Sequence, residues 1–216
     1  MVFHTPLLRV SLRHIARHIV RWQSTRELLV DRSANHITTL TLHRPKANAM
    51  GHNLMDEFSN TLADLEKCPD TRCVILTSSS HKVFSAGADL KERACMSIEQ
   101  AEATVTGLRN SLQRFASLPM PTIAVVEGIA LGGGMELAAA ADIRIGSRSS
   151  VFGLPETSLG IVPGAGGTQR IPRLIGMARA LELIVTGKKI SGETAYEYGL
   201  IQYLVETGEA DNVALE

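Results

Sequence analysis

PTIAVVEGIALGGGMELAAAADIRI, residues 121–145, decides how this chain folds. Pro121 closes what precedes it, and TIAVVEG (122–128) reads as a buried strand running into three consecutive glycines, Gly132 to Gly134. MELAAAA then reads as helix, and DIRIGS (142–147) as the next strand. Strand, glycine turn, helix, strand is the alternation of an α/β protein. Glycines at a helix start let backbone N–H groups approach a ligand closely. Glu136 lies one turn inside that helix. A second glycine-rich segment, FGLPETSLGIVPGAGG (152–167), carries Glu156 between Pro155 and a Thr-Ser pair.

The same alternation extends outward. HITTLTL (36–42) reads as a strand closed by His43-Arg44-Pro45. A helix is expected from about Asn53 to Lys67, with Leu54, Phe58, Leu62 and Leu65 on one face. CVILTS (73–78) is a short apolar strand of the kind covered on both faces. HKVFSAGADLKER reads as a loop entering a helical turn. Ile98, Ala101, Val105, Leu108, Leu112 and Phe115 mark a long amphipathic helix ended by Pro119 and Pro121. Farther on, VFGLPE is short extended chain. GTQRIPRLIG, ARALELIVTG and SGETAYEYG read as helices, and GLIQYLVE (199–206) as a last strand. No linker or low-complexity tract divides residues 27–206, so one α/β domain is expected. The final residues, TGEADNVALE (207–216), read as a turn and a first helical turn without apolar continuation, the start of an incomplete helical region.

Composition narrows the function classes. The chain has 22 basic and 22 acidic side chains, but Arg9, Arg13, Arg17, Arg21 and Arg26 precede the first carboxylate, Glu27. Residues 27–216 therefore hold 17 basic against 22 acidic groups, which gives no basic surface for nucleic acid. Leu8, Leu12, Ile15, Ile19 and Trp22 recur at helical spacing beside the arginines, so residues 1–26 read as a mitochondrial presequence. A basic tail or surface helix is the plainer alternative. No apolar run is long enough to span a membrane. Cys68, Cys73 and Cys95 show neither CxxC nor metal spacing and read as free thiols, and no metal site is expected among the scattered histidines.

The glycine stretch allows two chemistries. Unpaired N–H groups at a helix start can bind phosphate, but neither G-x-G-x-x-G nor the P-loop pattern is present. They can instead form an oxyanion hole, which needs a second donor from another loop. SAGADLKER (85–93), small at Ser85 to Ala88, supplies the candidate. If Glu136 and Glu156 face one cavity, desolvation and mutual repulsion should raise at least one pKa and give an acid and a base. Alternatively, Glu136 caps a neighbouring loop and Glu156 is a surface residue.

FSAGADLKER (84–93), PTIAVVEGIALGGGMELAAAADIRI and FGLPETSLGIVPGAGGTQRIPRLIG (152–176) together resemble the enoyl-CoA hydratase/isomerase (crotonase) superfamily, over about Glu27 to Val205. ADLKER and the GEAD stretch resemble most its methylglutaconyl-CoA hydratase branch, which includes the mitochondrial enoyl-CoA hydratase domain-containing proteins. The resemblance implies a spiral of repeated ββα units, with a C-terminal helical trimerisation region largely missing here. It implies an oxyanion hole from the N–H groups of Ala88 and Gly133, holding the thioester oxygen of an acyl-CoA. Glu136 and Glu156, with the N–H of Gly164, would position a water across a 2,3 double bond. Coenzyme A would pass Lys46, Ala47, Ala86, Asp89, Leu90 and Lys91. It enters as part of the substrate, and no cofactor is expected. Both glutamates favour hydration over isomerisation, in fatty-acid or leucine breakdown in the mitochondrial matrix. The complete protein would be a homotrimer or hexamer, with the 216-residue form defective in assembly. One member of the branch binds RNA through a lysine-rich helix. The matching residues 51–67 carry Asp56, Glu57, Asp64 and Glu66 against Lys67, which argues against RNA binding.

Overall fold

The computed structural model describes residues 26–45 and 47–215. The presequence reading of 1–26 and the placement of Lys46 therefore lie outside the described residues, Arg26 excepted. Ten strands and eight helices follow in order within that span. The larger sheet runs β1 (Leu28–Arg32), β2 (Ile37–Leu42), β3 (Cys73–Ser78), β5 (Thr122–Val126), β7 (Ile143–Ser147), β10 (Tyr203–Val205). Only the β1–β2 hairpin in it is antiparallel.

The second sheet has the order β4 (Val83–Ser85), β6 (Ile129–Leu131), β8 (Val151–Gly153), β9 (Lys189–Ser191). Consecutive strands thus alternate between sheets: β3 then β4, β5 then β6, β7 then β8, each pair followed by helical chain. This is the repeated ββα architecture expected. Gly128 makes the corner between β5 and β6 at φ +67°, and a Cβ there would collide with the backbone of Lys82. The small sheet is the part the sequence does not announce. β4 was expected as loop and β6 as a lead into the glycines, because three residues are too few to display a period of two.

Amphipathic spacing succeeds where elements are long. α1 (His52–Leu65) buries Leu54, Phe58, Leu62 and Leu65. α3 (Ile98–Phe115) opens with a capping box at Ser97 and Gln100 and buries Leu108, Leu112 and Phe115. The Phe58 and Phe115 rings meet at 5.6 Å between centroids, joining the two helices over the sheet. α2 (Leu90–Arg93), α4 (Gly133–Ala138), α5 (Gly167–Ile175), α6 (Met177–Thr186) and α7 (Gly192–Tyr198) complete that side.

On the other face of the large sheet, Ile75, Val125 and Ile145 pack against Ala210 and Ala214 of the α8 (Ala210–Val213) region. The terminal segment is expected to lack an apolar continuation; the single turn present packs through Ala210, Ala214 and the partly buried Val213. Gly208 N–H donates to Glu127 Oε1 at 2.7 Å, and the Thr77 hydroxyl donates to Asp211 Oδ1 at 3.0 Å, tying the segment down. The last strand is shorter than its apolar run, since Leu200 and Ile201 are buried in the main core before β10 begins.

Candidate active site

The site is built where three segments meet: the turn before α2, the glycines before α4, and the loop from Glu156 to α5. Arg44 organises the first. Its guanidinium contacts Glu27 Oε1 at 3.1 Å, Asp89 Oδ2 at 2.8 Å and Glu92 Oε1 at 2.8 Å. Asp89 also caps α2 by accepting from the N–H groups of Lys91 (3.0 Å) and Glu92 (3.2 Å). These bonds and the Arg44 cation hold its carboxyl below the usual range. A short parallel bridge then pairs Met50 with Ala88: Met50 N–H donates to Gly87 O, and Asp89 N–H to Met50 O. In that pattern the N–H of Ala88 is left without an acceptor among the described residues.

The second segment meets it. Gly132, at φ +53° and ψ −125°, turns the chain out of β6 into α4. The N–H of Gly133, at the first helical position, also has no acceptor among the described residues. A Cβ placed on Gly133 would lie 3.7 Å from the Ala88 nitrogen. Two unused amides from different loops are thus neighbours.

All six residues of α4 are buried, and Glu136 is 2% exposed. Its Oε1 accepts from Ala165 N–H at 2.9 Å and Gly167 N–H at 2.7 Å. The alternative in which Glu136 caps a neighbouring loop is therefore met in part: it does hold the 165–167 turn. Burial pushes its pKa up, while the two amides and the positive charges of Arg170 and Arg109 pull the other way. Arg109 donates to Gly164 O at 2.9 Å and Arg170 to Ala165 O at 2.9 Å, so these arginines fasten the turn that grips Glu136. Gly164 N–H has no acceptor among the described residues.

Glu156 lies in a 3₁₀ turn, Pro155–Leu159. It is 8% exposed, which removes the alternative of a surface residue. A Cβ on Gly132 would sit 2.9 Å from Glu156 Oε1, and one on Gly167 would sit 2.9 Å from Glu136 Oε1. Glu156 thus lies against the glycine turn and Glu136 against the 165–167 turn, within electrostatic reach of each other. Glu156 Oε2 is buried with no hydrogen-bond partner. Burial, with the Glu136 charge adding to it, raises the Glu156 pKa to about 7.

A cavity of about 420 Å³ opens beside Ala88 between α1, α2 and α3. The remaining expected contacts lie around the Ala88 turn. Ala86 N–H donates to Ala47 O at 3.0 Å, which fixes Ala47 at φ +67°. Leu90 is half exposed and Lys91 exposed, while the Asp89 carboxylate is already committed to its cap and to Arg44.

The family model described as enoyl-CoA hydratase/isomerase matches residues 32–215. The chain belongs to the enoyl-CoA hydratase/isomerase family. Mouse "Enoyl-CoA hydratase domain-containing protein 2, mitochondrial" is 46% identical over 179 residues, covering 82% of this chain and 60% of the relative. Mouse "Methylglutaconyl-CoA hydratase, mitochondrial" is 43% identical over 167 residues, covering 77% and 53%. Among solved structures, an enoyl-CoA hydratase from Bacillus anthracis superposes with a TM-score of 0.86 at 46% identity, covering 88% of this chain and 74% of that one. The chain spans about three-fifths of the length of the first of these relatives.

Sequence reasoning about this hydratase/isomerase family chain missed its supporting arginines. Arg44, Arg109 and Arg170 act through partners 45, 55 and 5 residues away. Only Arg170, inside the GGTQR run, carried a local signal. Ala165 and Gly167, whose amides hold Glu136, lay unremarked beside Gly164 in the same glycine-rich segment.

Proposed function

We propose that the protein hydrates a 2-enoyl-CoA thioester. The observation that carries this is the pair of buried glutamates beside two unused amides from separate loops. The amides of Ala88 and Gly133 hold the thioester oxygen, where charge develops as the enolate-like state forms; one such donor is worth ~10²–10³ in rate. Glu136, whose charged form accepts two N–H bonds, takes a proton from water as the hydroxide adds to Cβ. Glu156, with one carboxylate oxygen buried and unpartnered, retains its proton near neutral pH and delivers it to Cα. Proton transfer from Glu136 back to Glu156 resets the pair, which titrates as a unit. The Gly164 amide helps to orient the water. Lys46, Ala47, Ala86, Asp89, Leu90 and Lys91 are the proposed contacts for coenzyme A.

The proposed setting is fatty-acid or leucine breakdown in the mitochondrial matrix; the names of the relatives support its mitochondrial part. A homotrimer or hexamer is the proposed assembly, supported by the exposed apolar stripe of Met177, Leu181 and Val185 on α6. The test is turnover of crotonyl-CoA, followed by loss of the double-bond absorbance. Glu136→Gln and Glu156→Gln should each reduce it by ~10²-fold or more while leaving the circular dichroism of the folded protein near wild type. Near-normal turnover in either variant defeats the two-glutamate assignment.

A further inference from the structure

The two peptides that donate to Glu136 differ in what holds their far ends. The Gly167 N–H stands at the first position of α5. The carbonyl of the same peptide, Gly166 O, accepts from Gln169 N–H at 3.0 Å and from Arg170 N–H at 2.9 Å. Helix α5 therefore aims that donor, and the partial positive charge at its start favours the carboxylate. The Ala165 N–H has no helix behind it. The carbonyl of its peptide, Gly164 O, instead accepts from Arg109 Nε at 2.9 Å, a residue of α3 that is 55 positions away in sequence.

A trans peptide points its C=O and N–H in opposite directions, and resonance couples the two. A guanidinium on the oxygen draws electron density from the nitrogen, so the N–H on the other side becomes a stronger donor. Guanidinium, peptide and carboxylate thus form one chain of charge-assisted hydrogen bonds, with Arg109 exposed at its outer end and Glu136 buried at its inner end. Arg170 grips the neighbouring peptide, at Ala165 O; the N–H of that peptide is Gly166, which is not one of the two that Glu136 accepts. A stronger donor to the charged form of a carboxylate favours that form. We propose that Arg109 is a positioning residue for hydration: through the Gly164–Ala165 peptide it holds Glu136 as the carboxylate that takes a proton from water. The proposal rests on the hydratase reading for the water, and deepens it by naming what keeps a buried base charged. Few charged groups face Glu136. Arg109 comes from α3, Arg170 from α5 and Glu156 from its 3₁₀ turn, with Arg93 of α2 acting on Glu156 in its turn. The strands packed against α4, β4, β5 and β6, carry no titratable side chain. Both arginines oppose the effect of burial on Glu136.

The test follows the carboxyl carbon of Glu136 by NMR through a pH titration of the 216-residue chain, the signal being assigned by its loss in Glu136→Gln. A Glu156→Gln background makes this the titration of one carboxyl rather than of a coupled pair. Arg109→Gln keeps a side-chain donor near Gly164 O but no charge. It should move the Glu136 midpoint up by ~0.5–1 pH unit, less than for a buried ion pair because Arg109 is exposed. Arg109→Lys should recover part of that shift. Both titrations are repeated in ~1 M salt, where the Debye length is ~3 Å. An attraction acting only through solvent fades there, whereas the bond through the peptide keeps its effect. An unmoved midpoint in Arg109→Gln, or a shift that vanishes in salt, overturns the proposal. With Glu156 intact, Arg109→Gln should lower kcat for crotonyl-CoA by ~3–10-fold on the acid side of the profile and leave KM unchanged. A raised KM with kcat kept would reduce Arg109 to a clamp on the turn and overturn its role on the base. A wild type that does not hydrate crotonyl-CoA while the midpoint still shifts defeats the hydratase reading alone. Hydration with an unmoved midpoint defeats the Arg109 assignment alone.

Discussion

Glu156 is a residue whose environment opposes its charge: it is buried beside a second carboxylate, with one oxygen unpartnered. Its pKa is raised from 4.5 to about 7. The folded protein therefore binds this proton more tightly than the unfolded chain, and the resulting stability is complete below pH ~4.5 and lost as pH rises through ~7. The unfolding free energy of the wild type should fall relative to Glu156→Gln over that interval, by at most ~3 kcal/mol. Parallel pH courses for the two proteins would mean that Glu156 is ionised throughout. The same titration should depress kcat/KM above pH ~7, where the proton donor is lost. Glu136 differs in kind: two amides partner its charge, which suits it to accept a proton.

At the scale of elements, α2 is only four residues long and buries none of its own side chains. It stays in place because Asp89 caps it and Arg44 ties Asp89 and Glu92 to Glu27 at the start of the large sheet. Glu92 also accepts from His52 N–H at 2.8 Å, which links α2 to the start of α1. Arg44→Met would leave three partly buried carboxylates without their cation. A loss of ~1–3 kcal/mol is expected, less than for a fully buried cluster because water screens these groups. Since the Ala88 amide precedes this cap, the affinity for acyl-CoA should fall as well. Urea unfolding and KM check both effects; a stable variant with unchanged KM would show that the Ala88 turn holds its shape without Arg44.

The molecule as a whole places two sheets so that each ββα repeat ends near the site. Among the described residues no helix is long and apolar enough to cross a membrane. Three α6 side chains nevertheless remain well exposed: Met177 at 70%, Leu181 at 57% and Val185 at 61%. Their spacing of four puts them on one face, and a stripe of that kind is stabilised by burial against another surface. For a chain of its relatives' full length, sedimentation velocity should give a species larger than one chain, and Leu181→Glu should shift it toward the monomer. A wild type that remains monomeric at tens of micromolar would remove this stripe as an interface of the chain.

The sequence by itself determined the long elements and singled out the two glutamates that the fold buries. Leu54, Phe58, Leu62 and Leu65 repeat at helical spacing whatever surrounds them, and a run such as CVILTS has little use outside a covered sheet. Gly132 to Gly134 and the two glutamates were legible because close backbone approach and the burial of a carboxylate each restrict residue type. Only the tertiary structure decided the small sheet, whose three-residue strands carry no readable period and exist through pairing with one another. It alone decided that Glu136 is held by the amides of Ala165 and Gly167 and that Arg44 and Arg109 serve the site over long sequence separations. It also left Arg93 as an unpaired cation at the cavity wall, among the described residues. Hydrogen bonds and ion pairs between distant segments depend on where the fold brings their atoms, and the linear order of residues does not encode that locally.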